Sequence, residues 1–317
     1  MTPPYRHHLP SIACKQSFTL RKGALFMLTK EELHKRITDG THILDGATGS
    51  NLQKAGMPRG CCAEEWILSH PEKLVALQRG YAEAGAQIIY APTFQAQPIA
   101  LERVNLHRQT EAVNTHLAAL SRSAAPGCLI AGDITTLAAF CDSWDESNFD
   151  LLVENYRRQI RGLVDGGVDL LVGETLLYPQ EAEAILCAAE LEGAGAAMYS
   201  FTMQPDGSLF SGREAGPVLR ALEEAGAAAV GFNCVAADMM TPHLVSRLRR
   251  YVKGPLLCKP NAGIPVIGAE GIAHYSMQPC EFGRILAQCH KNGAALLGGC
   301  CGTTPAHIRA IISRVAL

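Results

Sequence analysis

Residues 149–174 read FDLLVENYRRQIRGLVDGGVDLLVGE. The stretch 149–165 has helical spacing, and Gly166 reads as a helix stop. Behind it, 168–174 is a short apolar run of β type. A continuous apolar strand that directly follows a helix implies a strand covered on both faces, as in a parallel sheet. The same pattern runs the length of the chain. Strand-type runs fall at 42–47, 86–91, 128–133, 168–174, 196–202, 228–234, 255–259 and 294–300. Helical spacing occupies 71–84, 101–121, 149–165, 180–191, 216–224, 240–251 and 279–291, and Gly85, Gly166, Gly193, Gly226 and Gly293 read as stops. Eight strand units of this kind predict a single-domain (β/α)8 barrel, whose usual size is about 250 residues. A doubly wound sheet is the alternative, but Asp45-Gly46-Ala47-Thr48-Gly49 lacks the spacing of a dinucleotide fingerprint.

The barrel domain is expected over 27–317. It opens on a helix capped by Thr29, with Glu32 three residues on. Residues 1–26 are expected to be a disordered tail. They are basic and contain Pro and Ser, without the apolar core or cleavage site of a signal peptide.

Of the 317 residues, 48% are hydrophobic and 18% charged, with a formal net charge of −2, so a large core is affordable in surface terms. That balance gives no electrostatic case for nucleic acid or an anionic membrane as partner. No apolar run reaches the roughly 18 residues of a membrane span; the nearest is 225–232. Twelve irregularly spaced cysteines do not make a disulfide scaffold for this length. A reducing, cytoplasmic setting is expected, where cysteines bind metal, catalyse or fill the core.

A (β/α)8 barrel builds its active site at the C-terminal ends of its strands. Those ends offer Asp45, Thr93, Asp133, Glu174, Asn233-Cys234, Asn261 and Cys300-Cys301. Strands six and eight lie two apart around the ring, so Cys234 and the Cys300-Cys301 pair can aim at one point. Three thiolates with a fourth position open are the donor set of a catalytic zinc site. The flanking glycines let two adjacent ligands approach one metal. Cysteine is equally a small buried hydrophobe, and spacing alone leaves both readings open. Cys128, Cys141, Cys187, Cys258, Cys280 and Cys289 take the core reading, Cys14 lies in the tail, and Cys61-Cys62 is a rival vicinal pair.

Gly-Gly-Cys-Cys-Gly-Thr-Thr-Pro at 298–305, followed by His307-Ile308, closely resembles the C-terminal signature of the homocysteine S-methyltransferase family. The resemblance extends to Ile43-Leu44-Asp45-Gly46-Ala47-Thr48-Gly49, Gly173-Glu174-Thr175 and Gly231-Phe232-Asn233-Cys234. It covers about 40–312, in family order, and carries the (β/α)8 fold with it.

The resemblance implies that Cys234, Cys300 and Cys301 ligate Zn2+ and that the homocysteine thiol takes the open position. A free thiol has a pKa near 8.5 and attacks poorly when neutral; on zinc it loses its proton. By the same resemblance, Asp45 and Glu174 contact the substrate ammonium, and backbone N–H groups around Gly46-Ala47 receive its carboxylate. Pro260-Asn261-Ala262-Gly263-Ile264-Pro265 resembles the methionine synthase branch, where the asparagine matching Asn261 would cap the metal before substrate arrives. Asn233 would orient a ligand from behind. Thr93-Phe94 also resembles that branch, but Pro92 stands where it carries an asparagine. Methionine is then the product. The expected donor is methylcobalamin supplied by a separate corrinoid protein, since no Asp-x-His-x-x-Gly motif occurs in the chain. Direct use of S-methylmethionine or betaine is the alternative, and a non-catalytic zinc or thiol-redox barrel is another. An aldolase-like barrel would use Lys259 as a Schiff base.

Overall fold

The helix Phe149–Asp165 forms because its apolar residues recur on one face. Leu152, Tyr156, Ile160 and Leu163 are fully buried, while Arg158 and Arg161 face outward. Those arginines are clamped by neighbouring helices: Arg158 pairs with both oxygens of Glu111 at 2.8 and 2.7 Å, and Arg161 reaches Glu192 at 2.9 Å. Gly166 itself keeps right-handed φ; the residue in the left-handed region is Gly167, at φ +76°. The helix therefore ends at Asp165, immediately before the glycine expected to stop it, and the left-handed turn follows at Gly167.

In this computed structural model, residues 27–315 are described apart from 39, 205 and 269–272. The tail expected over 1–26, with Cys14, lies outside the described residues. Eight parallel strands are described: β1 (His42–Ile43), β2 (Ile88–Tyr90), β3 (Leu129–Thr135), β4 (Leu170–Leu176), β5 (Ala197–Phe201), β6 (Ala229–Ala236), β7 (Leu256–Asn261) and β8 (Ala294–Leu297). Each lies in, or overlaps, its expected run. They pair in sequence order from β2 to β8, and β8 pairs with β1. The ring closes through a parallel bridge between Leu44 and Ile88, with the Asp45 N–H on the Ile88 carbonyl at 3.1 Å. The chain is thus a (β/α)8 barrel, as the strand count predicts.

Two helical expectations change. The segment 101–121 is not one helix: Asn105 sits at φ +58° between two short 3-10 turns, and the long helix begins at Thr110 and runs to Ala124. Asparagine tolerates that left-handed turn better than most residues. After β8, Pro305–Ile312 forms a helix that completes the eighth unit.

The barrel is filled by Leu44, Ile88, Ala131, Leu170, Val172, Met198, Leu257 and Leu296, all buried. Leu33 and Ile37 of the helix Lys30–Thr38 join the same cluster and plug the floor. A second, outer layer packs the strands against the surrounding helices. No helix among the described residues is long and apolar enough to cross a membrane.

The opposite end is less regular. Pairing of β4 with β5 slips between Gly173 and Leu176, and that of β6 with β7 slips between Asn233 and Ala236. At these two slips Thr175 and Cys234 stand at φ +58° and +57°. A β-branched residue at positive φ is strained by a few kcal/mol at most and persists only where its surroundings hold it. Such bulges re-aim side chains at strand ends. Here they turn Glu174 and Cys234 towards the mouth.

Candidate active site

A cavity of about 420 Å³ opens at the C-terminal mouth, lined among others by Asp45, Asp133, Glu174, Cys234, Lys259, Cys300 and Cys301. The Sγ atoms of Cys234, Cys300 and Cys301 all lie within 4.8 Å of one another; among the described residues this is the group of three that could hold a metal. Two thiolates on one zinc stand about 3.8 Å apart, from a Zn–S length of about 2.3 Å and tetrahedral angles. The donor set and its closeness therefore fit zinc. Hydrogen bonds from Cys234 and Cys300, with a further one from Tyr275, hold the Cys301 thiol down to about 3. Hydrogen bonding to Cys300 and then to Cys301 pushes Cys234 up.

The glycine-rich signature has a physical reading. A Cβ on Gly298 would sit 2.7 Å from the Leu44 Cβ and 2.9 Å from the Asp45 carbonyl. Gly302, at φ +81°, lies beneath the Tyr275 ring, which leaves no room for a side chain. Thr303 Oγ1 donates to the Cys300 carbonyl at 2.7 Å and accepts from the Ala47 N–H at 3.1 Å, tying the pair to the first strand's turn. Thr304 and His307 form a capping box for the final helix, and His307 Nε2 reaches the Met277 carbonyl at 3.0 Å. The signature is thus a turn that presents two sulfurs and starts a helix.

Asn233 does not line the cavity. Its Oδ1 accepts from the Thr175 N–H at 2.9 Å and from the Ser200 hydroxyl at 2.9 Å, while its Nδ2 donates to Thr175 Oγ1 at 2.6 Å and lies 3.8 Å from Cys300 Sγ. It clamps the strained Thr175 from behind and touches one sulfur. Asn261 Nδ2 donates to the Cys234 carbonyl at 3.1 Å, and its buried Oδ1 has no partner among the described residues. That orphaned acceptor beside a sulfur cluster is what a metal-capping asparagine would present.

Asp45 and Glu174 both reach the cavity, but not as an empty pair. Lys259, only 3% exposed, lies between them. Its Nζ is 2.9 Å from Glu174 Oε1, 3.4 Å from Asp45 Oδ1 and 4.3 Å from the centre of the Tyr90 ring. Burial opposes the Lys259 charge, yet Glu174 and Asp45 outweigh it and raise its pKa. Burial also pushes the carboxyls of Asp45 (to about 6), Asp133 and Glu174 up, since one cation cannot satisfy three. Lys259 is thus an ion-pair partner of two carboxylates, where the sequence suggests only a Schiff-base candidate. One charge inside the apolar strand Leu256-Leu257-Cys258-Lys259 was the signal that it is buried and paired.

The turn after β1 also differs from expectation. The Ala47 N–H is already bonded to Thr303, and Gly46 is hemmed in by Tyr81 and Thr303 at 2.7–2.8 Å from a would-be Cβ. The Ala47 N–H is thus engaged, while Gly46 and Ala47 line the cavity together with Thr48, Gly49 and Ser50. Thr93 is structural: its hydroxyl donates to the Asp133 carbonyl at 2.8 Å, while Pro92 and Phe94 form cavity wall. The rival pair stays out of the cluster. Cys61 Sγ bonds the Pro58 carbonyl at 3.0 Å and Cys62 Sγ bonds Glu64 at 3.3 Å.

Comparison with known proteins agrees with this picture. The sequence model of the homocysteine S-methyltransferase family matches residues 42–315. Methionine synthase of Mycobacterium tuberculosis is 29% identical over 315 residues, covering 91% of this chain and 26% of that protein. The chain thus spans about a quarter of the length of that relative. The metallated crystal form of the homocysteine methyltransferase MmuM from Escherichia coli matches with a TM-score of 0.76 at 25% identity, over 89% of this chain and 100% of that one. Its oxidised form matches with a TM-score of 0.73 at 26% identity, over 87% and 96%.

Proposed function

The chain belongs to the homocysteine S-methyltransferase family, and on that premise we propose that it transfers a methyl group to the thiol of homocysteine, giving methionine, at a zinc site formed by Cys234, Cys300 and Cys301. The observation that carries this reading is three sulfurs within 4.8 Å of one another beside a cavity deep enough for an amino acid. Zinc held there would supply the Lewis acidity that keeps an incoming thiol deprotonated, hence nucleophilic, at neutral pH.

The chain's own residues do the rest. Cys300 and Cys301 are fixed by the Thr303 bonds and Cys234 by the bulged end of β6, so the sulfurs need little rearrangement to converge. Asn233, itself held by Thr175 and Ser200, orients Cys300 through its direct contact with the sulfur. Asn261 holds the Cys234 carbonyl through its Nδ2 and keeps a buried, unpartnered Oδ1 beside it. Phe94 and Pro92 supply apolar wall against which the acceptor's methylene groups would pack, keeping water from the sulfur.

For the donor, a separate protein that presents a methylcorrinoid fits one surface feature. Among the described residues, Trp144, Phe210, Met239, Met240, Ile264, Val266 and Ile267 are large, apolar and exposed in the segments that follow β3, β5, β6 and β7 at the mouth, Leu151 on the helix Phe149–Asp165 being the one other such residue. Apolar surface concentrated on one face marks a docking region. Direct use of a small sulfonium or ammonium donor is the alternative that the experiment below separates.

The deciding experiment incubates the zinc-loaded protein and Cys301→Ala with homocysteine and, in turn, methylcobalamin, S-methylmethionine and betaine. Methionine is expected from the unmodified protein with one donor. Cys301→Ala should lose bound zinc and at least about a thousandfold in rate, the activated thiolate being removed. A variant that keeps both metal and rate defeats the zinc reading. Methionine from S-methylmethionine alone selects the small-donor reading.

A further inference from the structure

The segment that follows β7 carries a tyrosine whose place the cavity does not explain. A short antiparallel pair, Val266–Ile267 with Ala273–His274, ends directly at Tyr275, ahead of the helix Pro279–Lys291. The half-buried Tyr275 ring lies across Gly302, where a Cβ would stand 2.7 Å from its Cδ2. Tyr275 does not line the mouth cavity. Its hydroxyl is turned instead to Cys301, with which it hydrogen-bonds.

The backbone around Tyr275 is stitched to the turn that presents the sulfurs. The Ala262 N–H donates to the Cys301 carbonyl at 2.9 Å, the Cys300 N–H donates to the Pro260 carbonyl at 2.8 Å, and the Met277 N–H donates to the Ala262 carbonyl at 3.4 Å. His307 Nε2, on the helix that follows the turn, reaches the Met277 carbonyl at 3.0 Å. Phenol and sulfur therefore belong to one frame, and neither can drift from the other without breaking these bonds. The three cysteines are also held differently. Cys300 Sγ has the Asn233 amide at 3.8 Å, Cys301 has the phenol, and Cys234 is held through its carbonyl by Asn261.

A phenol has a pKa of about 10 and keeps its proton at neutral pH, so it can only donate to a thiolate. A thiolate that accepts such a bond gives less charge to the metal it ligates, which is how hydrogen bonds to cysteine sulfur tune copper and iron–sulfur centres. We propose that Tyr275 is a positioning residue of the zinc site, orienting the Cys301 thiolate on the metal and drawing charge from it. The proposal rests on the reading of the three cysteines as zinc ligands. It assigns Tyr275, which lies outside the cavity, a part in how strongly the metal attracts an incoming thiol.

The test reads the metal rather than turnover. Cobalt(II) is bound in place of zinc to the unmodified protein and to Tyr275→Phe, without oxygen, and the sulfur-to-cobalt charge-transfer band is recorded. Zinc affinity is measured in parallel by competition with a chelator. Phenylalanine keeps the ring over Gly302, so the variant loses a hydrogen bond and no packing. Without that bond the sulfur electrons are held less tightly, and the band should move to longer wavelength. Zinc should bind about tenfold more weakly, the usual cost of removing an outer partner of a metal ligand. Tyr275→Leu, which gives up the ring as well, should move the band in the same direction. A band that stays in place in both variants, or moves the other way, overturns the role of Tyr275 whatever happens to zinc affinity, because packing alone can change affinity. Absence of the band in the unmodified protein sinks the three-cysteine metal site itself, and the role of Tyr275 with it.

Discussion

The floor and the mouth of this barrel are built on opposite principles. At the floor, Leu33 and Ile37 are wholly buried under the strands, and the helix that carries them is closed by reciprocal bonds between Thr29 and Glu32. At the mouth, two non-glycine residues hold positive φ, three carboxylates crowd one lysine, and exposed apolar side chains ring the opening. Local rules are obeyed where the chain needs only stability and broken where it needs a reactive surface. The floor contributes burial that no ligand touches. The mouth spends part of that stability on sulfurs and charges held in readiness.

Removing the lysine should break this contrast hardest. Lys259→Met leaves Asp45 and Glu174 buried without their cation, and loss of one partner of a buried pair costs about 3–5 kcal/mol. Lys259 lowers the pKa of both carboxyls. Without it their folded-state values rise further above the unfolded ones. A raised carboxyl pKa gives stability at low pH that is lost as pH rises, so the penalty should be larger at pH 8 than at pH 5. Denaturant unfolding at the two pH values measures it. An equal loss at both would mean that Lys259 acts through its aliphatic stem, and the charged cluster would be incidental.

The same contrast governs what was legible in the sequence. Strands such as β3 and β4 announce themselves because apolar runs buried on both faces have one reading. Position at strand ends two apart in the ring left Cys234, Cys300 and Cys301 open to both a metal and a core reading, and the family signature singled them out. The break at Asn105 was hidden, because helical spacing continues on either side of a single left-handed residue. Lys259 and Asp133 were hidden for a deeper reason. Each is an ordinary strand-end polar residue in one dimension, and its burial and pairing arise only when β1, β3, β4 and β7 close around it. Ala47 shows the converse: its N–H looked available until Thr303, 256 positions away, was seen to occupy it.

If the two ends are independent, damage to the floor should cost stability alone. Leu33→Ala removes a fully buried side chain and should destabilise by about 3 kcal/mol, within the usual range for such cavities. Zinc content and homocysteine affinity of the folded fraction should stay unchanged. Combined with Lys259→Met, the losses should add to within about 0.5 kcal/mol, as for distant sites without shared partners. A larger coupling would show that the floor helix sets the geometry of the mouth through the layered interior.

The mildest test sits at the start of the floor helix. Thr29 Oγ1 accepts the Glu32 N–H at 3.1 Å, and Glu32 returns a bond to the Thr29 N–H at 2.9 Å, both exposed to solvent. Thr29→Ala should cost about 1 kcal/mol, the usual worth of such a cap. The effect should stay that small because the Leu28 N–H is separately tied to the Asp169 carbonyl at 2.9 Å, beside the plug. The helix is therefore positioned by that bond and by Leu33 and Ile37, and the cap only trims fraying. A loss above about 2 kcal/mol, read by thermal unfolding, would mean that the cap seats the plug, and the floor would owe its order to one exposed turn.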